Sequence, residues 1–215
     1  MDQFTILIFY ILVLLFSVVI HEVSHGIVAL WQGDPTAKFT GRLTLNPIPH
    51  IDLFGTIIVP LFLMIPALFG TPGPIFGWAK PVPYNPYNLR NQKWGAAMVS
   101  LAGPASNFVI AVVFGIALRF FPATTDVVFV ENLARLLVII VRLNILLGIF
   151  NLVPIPPLDG SKLLFSVLPS HMSHIQMFLE RYGFIILLFF IFFAFKIIFP
   201  LVASIFSLIT GMAPS

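Results

Sequence analysis

The chain has no cysteine and little charge: of its 215 residues, 11 are Lys or Arg and 8 are Asp or Glu. Without cysteine there are no disulfides and no thiolate metal sites, so any metal centre has to use nitrogen and oxygen ligands. Soluble domains are about a quarter charged. At 9% charged and 59% hydrophobic, this chain reads as an integral membrane protein with the lipid bilayer as its first partner. No polar segment is long enough to fold as a second unit, so residues 1–215 read as one membrane-embedded domain. The net charge of +3 does not point to nucleic acid, because the basic residues are scattered through loops and helix ends, as membrane topology requires. There is no internal repeat and no low-complexity tail.

What is present is apolar and periodically broken. Phe4 to Trp31 is one apolar stretch, stopped by Gly33, Asp34 and Pro35. As a helix it would be roughly 42 Å long, more than enough to cross a bilayer. It lacks a basic leading region and carries a chemical motif, so it is not read as a cleaved signal peptide. Residues 36–50 are of mixed polarity, and the loose alternation from Lys38 to Leu45 predicts a short β-element. Residues 53–69 are apolar but contain Pro60 and Pro66, and 71–93 is a Pro- and Gly-rich irregular loop. Further helices are predicted over about 94–120 and 131–152, then a polar linker over 158–182, then a helical segment at about 183–210 that contains Pro200. The fold class is an all-α polytopic membrane protein with four to six crossings. The last segment reads as one kinked span or a tight hairpin.

The basic residues orient the chain. The connection 32–93 holds Lys38, Arg42, Lys80, Arg90 and Lys93, whereas 122–130 holds no Lys or Arg and contains Asp126. The positive-inside rule puts the first in the cytoplasm and the second outside. Both ends of 32–93 are then cytoplasmic, so 53–69 is expected to re-enter the membrane rather than cross it. The same orientation brings the C-terminal half of the first helix and the proline turn after 152 to the cytoplasmic side.

Inside the first apolar run lies His21-Glu22-Val23-Ser24-His25. HExxH on a helix sets two imidazoles on one face, where both can bind zinc, with the glutamate beside the metal as a base. At that depth such groups cost on the order of several kcal/mol unless compensated, and a metal compensates them. A catalytic zinc takes three protein ligands and a water. The candidate third ligand is Asp159, in the run Asn151-Leu152-Val153-Pro154-Ile155-Pro156-Pro157-Leu158-Asp159-Gly160. Its other reading is as the cap of a helix beginning near Ser161, and spacing alone leaves both open.

The chain resembles the site-2 protease family of intramembrane zinc metalloproteases. The resemblance rests on His21 to Gly26, on Ala102-Gly103-Pro104-Ala105-Ser106-Asn107, and on Asn151 to Gly160, in that order. Arg42 to Pro47, His50-Ile51-Asp52 and Gly77 to Pro83 resemble the short prokaryotic members, and no PDZ or CBS regulatory domain is visible. The resemblance covers residues 4 to about 165. It implies Zn2+ held by His21, His25 and Asp159, Glu22 as general base, transmembrane proteins as substrates and a prokaryotic inner membrane with the active site towards the cytoplasm. No catalytic position departs from the family pattern.

Other polar residues carry weaker signals. Asn107 and Asn151 are candidate substrate-binding residues, able to bond an extended backbone or a developing oxyanion, with interhelical bonding as the structural alternative. A helical substrate must be unwound before hydrolysis, and a β-element at 36–46 would hold it extended by strand addition. His50 and Asp52 read as a helix cap with an interfacial histidine in preference to a second metal site, and His171 and His174 as a solvated face. Arg142 lies mid-helix and needs a partner. Two other function classes stay open. A divalent-metal transporter would need further acids along a path, but Asp2, Asp34, Asp126, Glu131 and Glu180 sit at ends or in loops. An inactive scaffold would be expected to lose Glu22 or a ligand, and none is lost. The chain carries no signal of oligomeric state.

Overall fold

The computed structural model describes residues 2–59, 61–62, 65, 77–91, 94–121 and 127–212. Six α-helices lie among them: α1 (Gln3–Trp31), α2 (Thr36–Phe39), α3 (Gly95–Arg119), α4 (Val128–Asn151), α5 (Asp159–Val167) and α6 (Ser173–Thr210). Four of these, α1, α3, α4 and α6, are long and apolar enough to cross a membrane.

The packing is that of a membrane protein, with many large apolar side chains outside and several polar ones inside. Phe4, Ile11, Phe189 and Phe193 are exposed, while Ser17, His21, His25, Asn107 and Asn144 are buried. With no solvent to drive apolar burial, helices associate through close packing and interhelical hydrogen bonds. α1 runs antiparallel to α3, and of Ser17, His21 and His25, spaced four apart on one face, the two histidines meet α3 and Ser17 meets α4. α3, α4 and α6 share an apolar core of Ala111, Leu118, Leu137, Val141, Ile145, Ile198, Val202 and Phe206. Arg142 finds its partner here, stacked 4.7 Å from the centroid of the Phe206 ring. At the far end Arg119 donates to the carbonyls of Leu208 and Ile209, at 2.7 and 2.6 Å, and ties the last turn of α6 to the end of α3.

The expected β-element over 36–46 is not formed, and no strand occurs among the described residues. Local side-chain bonds decide this. α1 ends in a Schellman turn: Gly33 takes φ 103°, and the amides of Gly33 and Asp34 bond the carbonyls of Leu30 and Ala29. Asp34 then accepts from both the backbone amide and the hydroxyl of Thr36, which starts the single turn of α2. Beyond it Thr44 and Asn46 accept from backbone amides two residues on, which makes turns of what the alternation suggested was a strand.

The re-entrant reading of 53–69 is likewise unsupported. Leu53–Ile58 forms a wide π-helical turn, started by Asp52 accepting from the Gly55 amide at 2.6 Å. Pro60, Pro66 and most of the remaining segment lie outside the described residues, as do 71–76 and 122–126. The C-terminal segment is one continuous helix rather than a hairpin, and it starts earlier than 183. α6 begins at Ser173, because nothing between there and Gly183 breaks a helix, and it continues through Pro200. At roughly 57 Å it is longer than one bilayer crossing requires.

Asp34 is the knot at the end of α1. Its carboxylate is fully buried and also accepts from the Asn85 amide and the Asn88 side chain, at 2.7 and 2.9 Å. Burial pushes its carboxyl up, but the bonds from Thr36, Asn88 and Asn85 outweigh this and hold it below the usual carboxylate value. A depressed folded value stabilises the fold above the unfolded pKa, and that contribution fades as pH falls through the folded value. Asp34→Ala is expected to lose about 2 kcal/mol, lowering the melting temperature in detergent at neutral pH by roughly 4–8 °C. A thermal melt of the two proteins checks this.

Candidate metal centre

The centre is built where three elements meet. α1 supplies His21, Glu22 and His25. Three prolines end α4 and turn the chain back, and α5 then starts at Asp159 itself, with Leu158 as its cap residue. The turn leaves no room beside Gly160, where a Cβ would lie 2.2 Å from the Leu152 carbonyl oxygen. α3 closes the rear with Gly103.

His21 Nε2 lies 3.0 Å and His25 Nε2 3.1 Å from the same oxygen, Asp159 Oδ2. Each imidazole is held from its other nitrogen. His25 Nδ1 lies 2.7 Å from the Val99 carbonyl oxygen, which can only accept, so Nδ1 carries the proton. His21 Nδ1 lies 2.6 Å from Asn107 Oδ1 and donates to it. In the neutral rings both Nε2 atoms therefore present bare lone pairs to a carboxylate oxygen. Three acceptors facing one another in this tautomer make a ready site for a cation. The separation of two ligands on a tetrahedral zinc is about 3.3 Å, close to the 3.0 and 3.1 Å found here. The donor set and its geometry thus fit Zn2+.

Glu22 is within the same cluster, its carboxylate and the two imidazoles offering atoms within 4.8 Å of one another. One of its oxygens, Oε2, is already engaged by the backbone amide of Val82 at 2.8 Å. The segment 77–85 that carries Val82 is pinned by Asp34 at Asn85 and by His50, whose carbonyl accepts from the Lys80 amide. His50 is buried with Nε2 against the Thr44 carbonyl, and Asp52 is a cap, so neither approaches the cluster. His171 and His174 are exposed, away from it.

A cavity of about 710 Å3 opens on the cluster. It is lined by His21, Glu22, His25, Asp159 and Asn151, by Gly77 to Ala79, and by Leu14, Phe150, Leu187 and Ile191 from three membrane helices. Asn151 donates to the Leu147 carbonyl of its own helix at 3.0 Å. Lys162 stands 4.0 Å from Asp159 Oδ1 and 5.3 Å from the Tyr84 ring centroid. Burial, reinforced by the Asp159 charge, pushes the Tyr84 phenol up, so it lines the cavity as a neutral hydroxyl. Sequence reasoning did not single out Ser17, Asn144 or the Val82 amide. Ser17 was legible, four residues before His21 on the same face. The Val82 amide was not, since a backbone group carries no residue signature.

The sequence model of peptidase family M50 matches residues 9–194, most of the chain. The chain belongs to peptidase family M50. Among its relatives, "Putative zinc metalloprotease YwhC" of Bacillus subtilis is 35% identical over 183 residues, covering 84% of this chain and 78% of that protein. "Putative zinc metalloprotease Rip2" of Mycolicibacterium smegmatis is 32% identical over 146 residues, covering 68% of this chain and 52% of the relative. "Zinc metalloprotease MJ0392" of Methanocaldococcus jannaschii is 32% identical over 84 residues, 39% of this chain and 23% of the relative. No solved structure matches. An M50 chain with four membrane-length helices and a histidine–glutamate–histidine cluster in the first is an intramembrane zinc metalloprotease.

Gly103 gives this M50 site a steric test. A Cβ on it would lie 2.5 Å from the Nε2 atoms of both His21 and His25. Gly103→Ala is expected to displace both imidazoles, so that the purified variant carries well below the wild-type zinc per chain. Elemental analysis against protein concentration checks it.

Proposed function

We propose that His21, His25 and Asp159 hold the zinc, that Glu22 is the general base, and that the chain cleaves peptide bonds in or near transmembrane segments of other membrane proteins. The observation that carries this is the convergence of His21 and His25 Nε2, on a membrane-length helix, on one oxygen of Asp159, with Glu22 beside them. Asp159 is preferred to Glu22 as third ligand because its Oδ2 already sits between the two imidazoles, whereas Glu22 Oε2 is engaged by Val82.

Bound zinc would polarise the scissile carbonyl and acidify a water. The chain's own residues do the rest. The Val82 amide orients the Glu22 carboxylate through Oε2 and leaves Oε1 to take a proton and return it to the departing amine. Asn151 spends one amide hydrogen on Leu147 and keeps a second for a substrate carbonyl. The apolar walls from α1, α4 and α6 suit an unwound apolar segment and thin the water around it. The biology this serves is regulated intramembrane proteolysis.

We further infer a prokaryotic inner-membrane location with the centre towards the cytoplasm, supported by Lys38, Arg42, Lys80 and Arg90 at that end. The absence of native cysteine makes this simple to test. A membrane-impermeant maleimide applied to intact cells is expected to label Val127→Cys and not Phe39→Cys; the reverse pattern would invert the topology.

For the chemistry, Glu22→Gln is expected to keep about one zinc per chain and to lose cleavage of a transmembrane test substrate by at least ~100-fold. Asp159→Ala is expected to lose the zinc itself. Zinc retained by the Asp159 variant would remove it from the ligand set, and cleavage retained by the Glu22 variant would remove the base.

A further inference from the structure

We propose that Asn107 is a positioning residue that holds the His21 imidazole in its metal-binding tautomer, and that Asn144 and Ser17 set which way the Asn107 amide faces. This rests on the assignment of His21 as a zinc ligand.

The orientation follows from a single backbone carbonyl. Asn144 touches the Ile140 carbonyl oxygen at 2.9 Å, and a carbonyl only accepts, so the atom against it is Nδ2. The same Nδ2 donates to Ser17 Oγ at 2.9 Å. Asn144 Oδ1 is thereby turned to Asn107 and accepts from its Nδ2, also at 2.9 Å. Asn107 Oδ1 must then face His21 Nδ1, which donates to it at 2.6 Å. The proton sits on Nδ1 and the lone pair of Nε2 points at Asp159. All four side chains are buried, with Asn107 and Asn144 fully so, and water does not compete for these bonds. His25 needs no such relay, because Val99 fixes it directly.

The opposite orientation of Asn107 has almost the same shape and the wrong chemistry. Its NH2 group would face His21 Nδ1, which could then only accept, and the proton would move to Nε2, blocking the metal position. Partners outside the ligand shell that fix a ligating histidine are worth about 10- to 100-fold in metal affinity. Plain helix-to-helix bonding by Asn107 and Asn144 would stabilise the bundle without any preference of this kind.

The two roles separate in a double-mutant cycle on detergent-purified full-length protein, read as Zn2+ affinity by competition with a chromophoric chelator. Asn144→Leu is expected to weaken zinc binding about 10- to 100-fold, although it touches no ligand. Asn107→Asp is expected to bind like wild type, because it presents an oxygen to His21 whichever way it turns, while a proton on its other oxygen is donated to Asn144 Oδ1. In that background Asn144→Leu is expected to cost less than about three-fold, since there is no wrong orientation left to prevent. Should the aspartate variant fail to fold, the cycle through Asn107→Leu serves equally: zinc is weakened once, and Asn144→Leu adds nothing. Equal losses in both backgrounds would show a packing role and overturn the proposal, as would unchanged affinity in Asn144→Leu. Wild-type protein that holds no zinc would overturn the ligand assignment as well; wild-type zinc with an indifferent Asn144 overturns only the relay.

Discussion

Two imidazole nitrogens and a carboxylate oxygen are held about a hydrogen bond apart, and with both rings neutral and protonated at Nδ1 a bound cation reconciles them. In a protein whose surroundings are largely hydrocarbon, leaving those groups uncompensated is prohibitive. Much of the chain's polar inventory is arranged around that constraint. The prolines after α4 return Asp159 to the bundle, Gly103 makes way for the imidazoles, and carbonyl or amide oxygens take the two Nδ1 protons.

The site is held by two layers of different stiffness. Behind the imidazoles, α3 and α4 form a packed wall in which every polar atom of Asn107 and Asn144 is directed by another. In front, Glu22 depends on one amide of an extended segment. That segment has little regular structure of its own and is pinned through Asp34 to the end of α1 and through His50 to the loop before it. His21, Glu22 and His25 thus all rest on α1, and Glu22 alone takes a further support from the pinned segment that faces the cavity.

The contacts that carry meaning here are polar ones between helices, and they are why prediction from pattern succeeded in some places and not in others. Helix existence was legible wherever an apolar run was long, as for Phe4 to Trp31 and 94–120. It was illegible where a single side chain redirected the backbone. Asp34 turned Thr36 into a helix start, and Thr44 and Asn46 made turns from an alternating run. The start of α6 was misplaced by ten residues because polar side chains such as Glu180 and Arg181 read as linker, although they sit comfortably on a helix.

By itself the sequence determined that this chain carries membrane-length apolar helices and that His21, Glu22 and His25 share one of them. Hydrophobic run length and the i, i+4 spacing of a helix are local properties that no tertiary contact can alter. It also placed Asp159 in a short list of two readings, ligand or cap. Only the tertiary structure put Leu158 rather than Asp159 at the cap position and brought Asp159 Oδ2 beside imidazoles that lie far earlier in the chain. Only the tertiary structure turned Asn107 towards His21, through Asn144 and Ser17. An amide's direction is set by what lies across from it on another helix, and a one-dimensional pattern does not contain that.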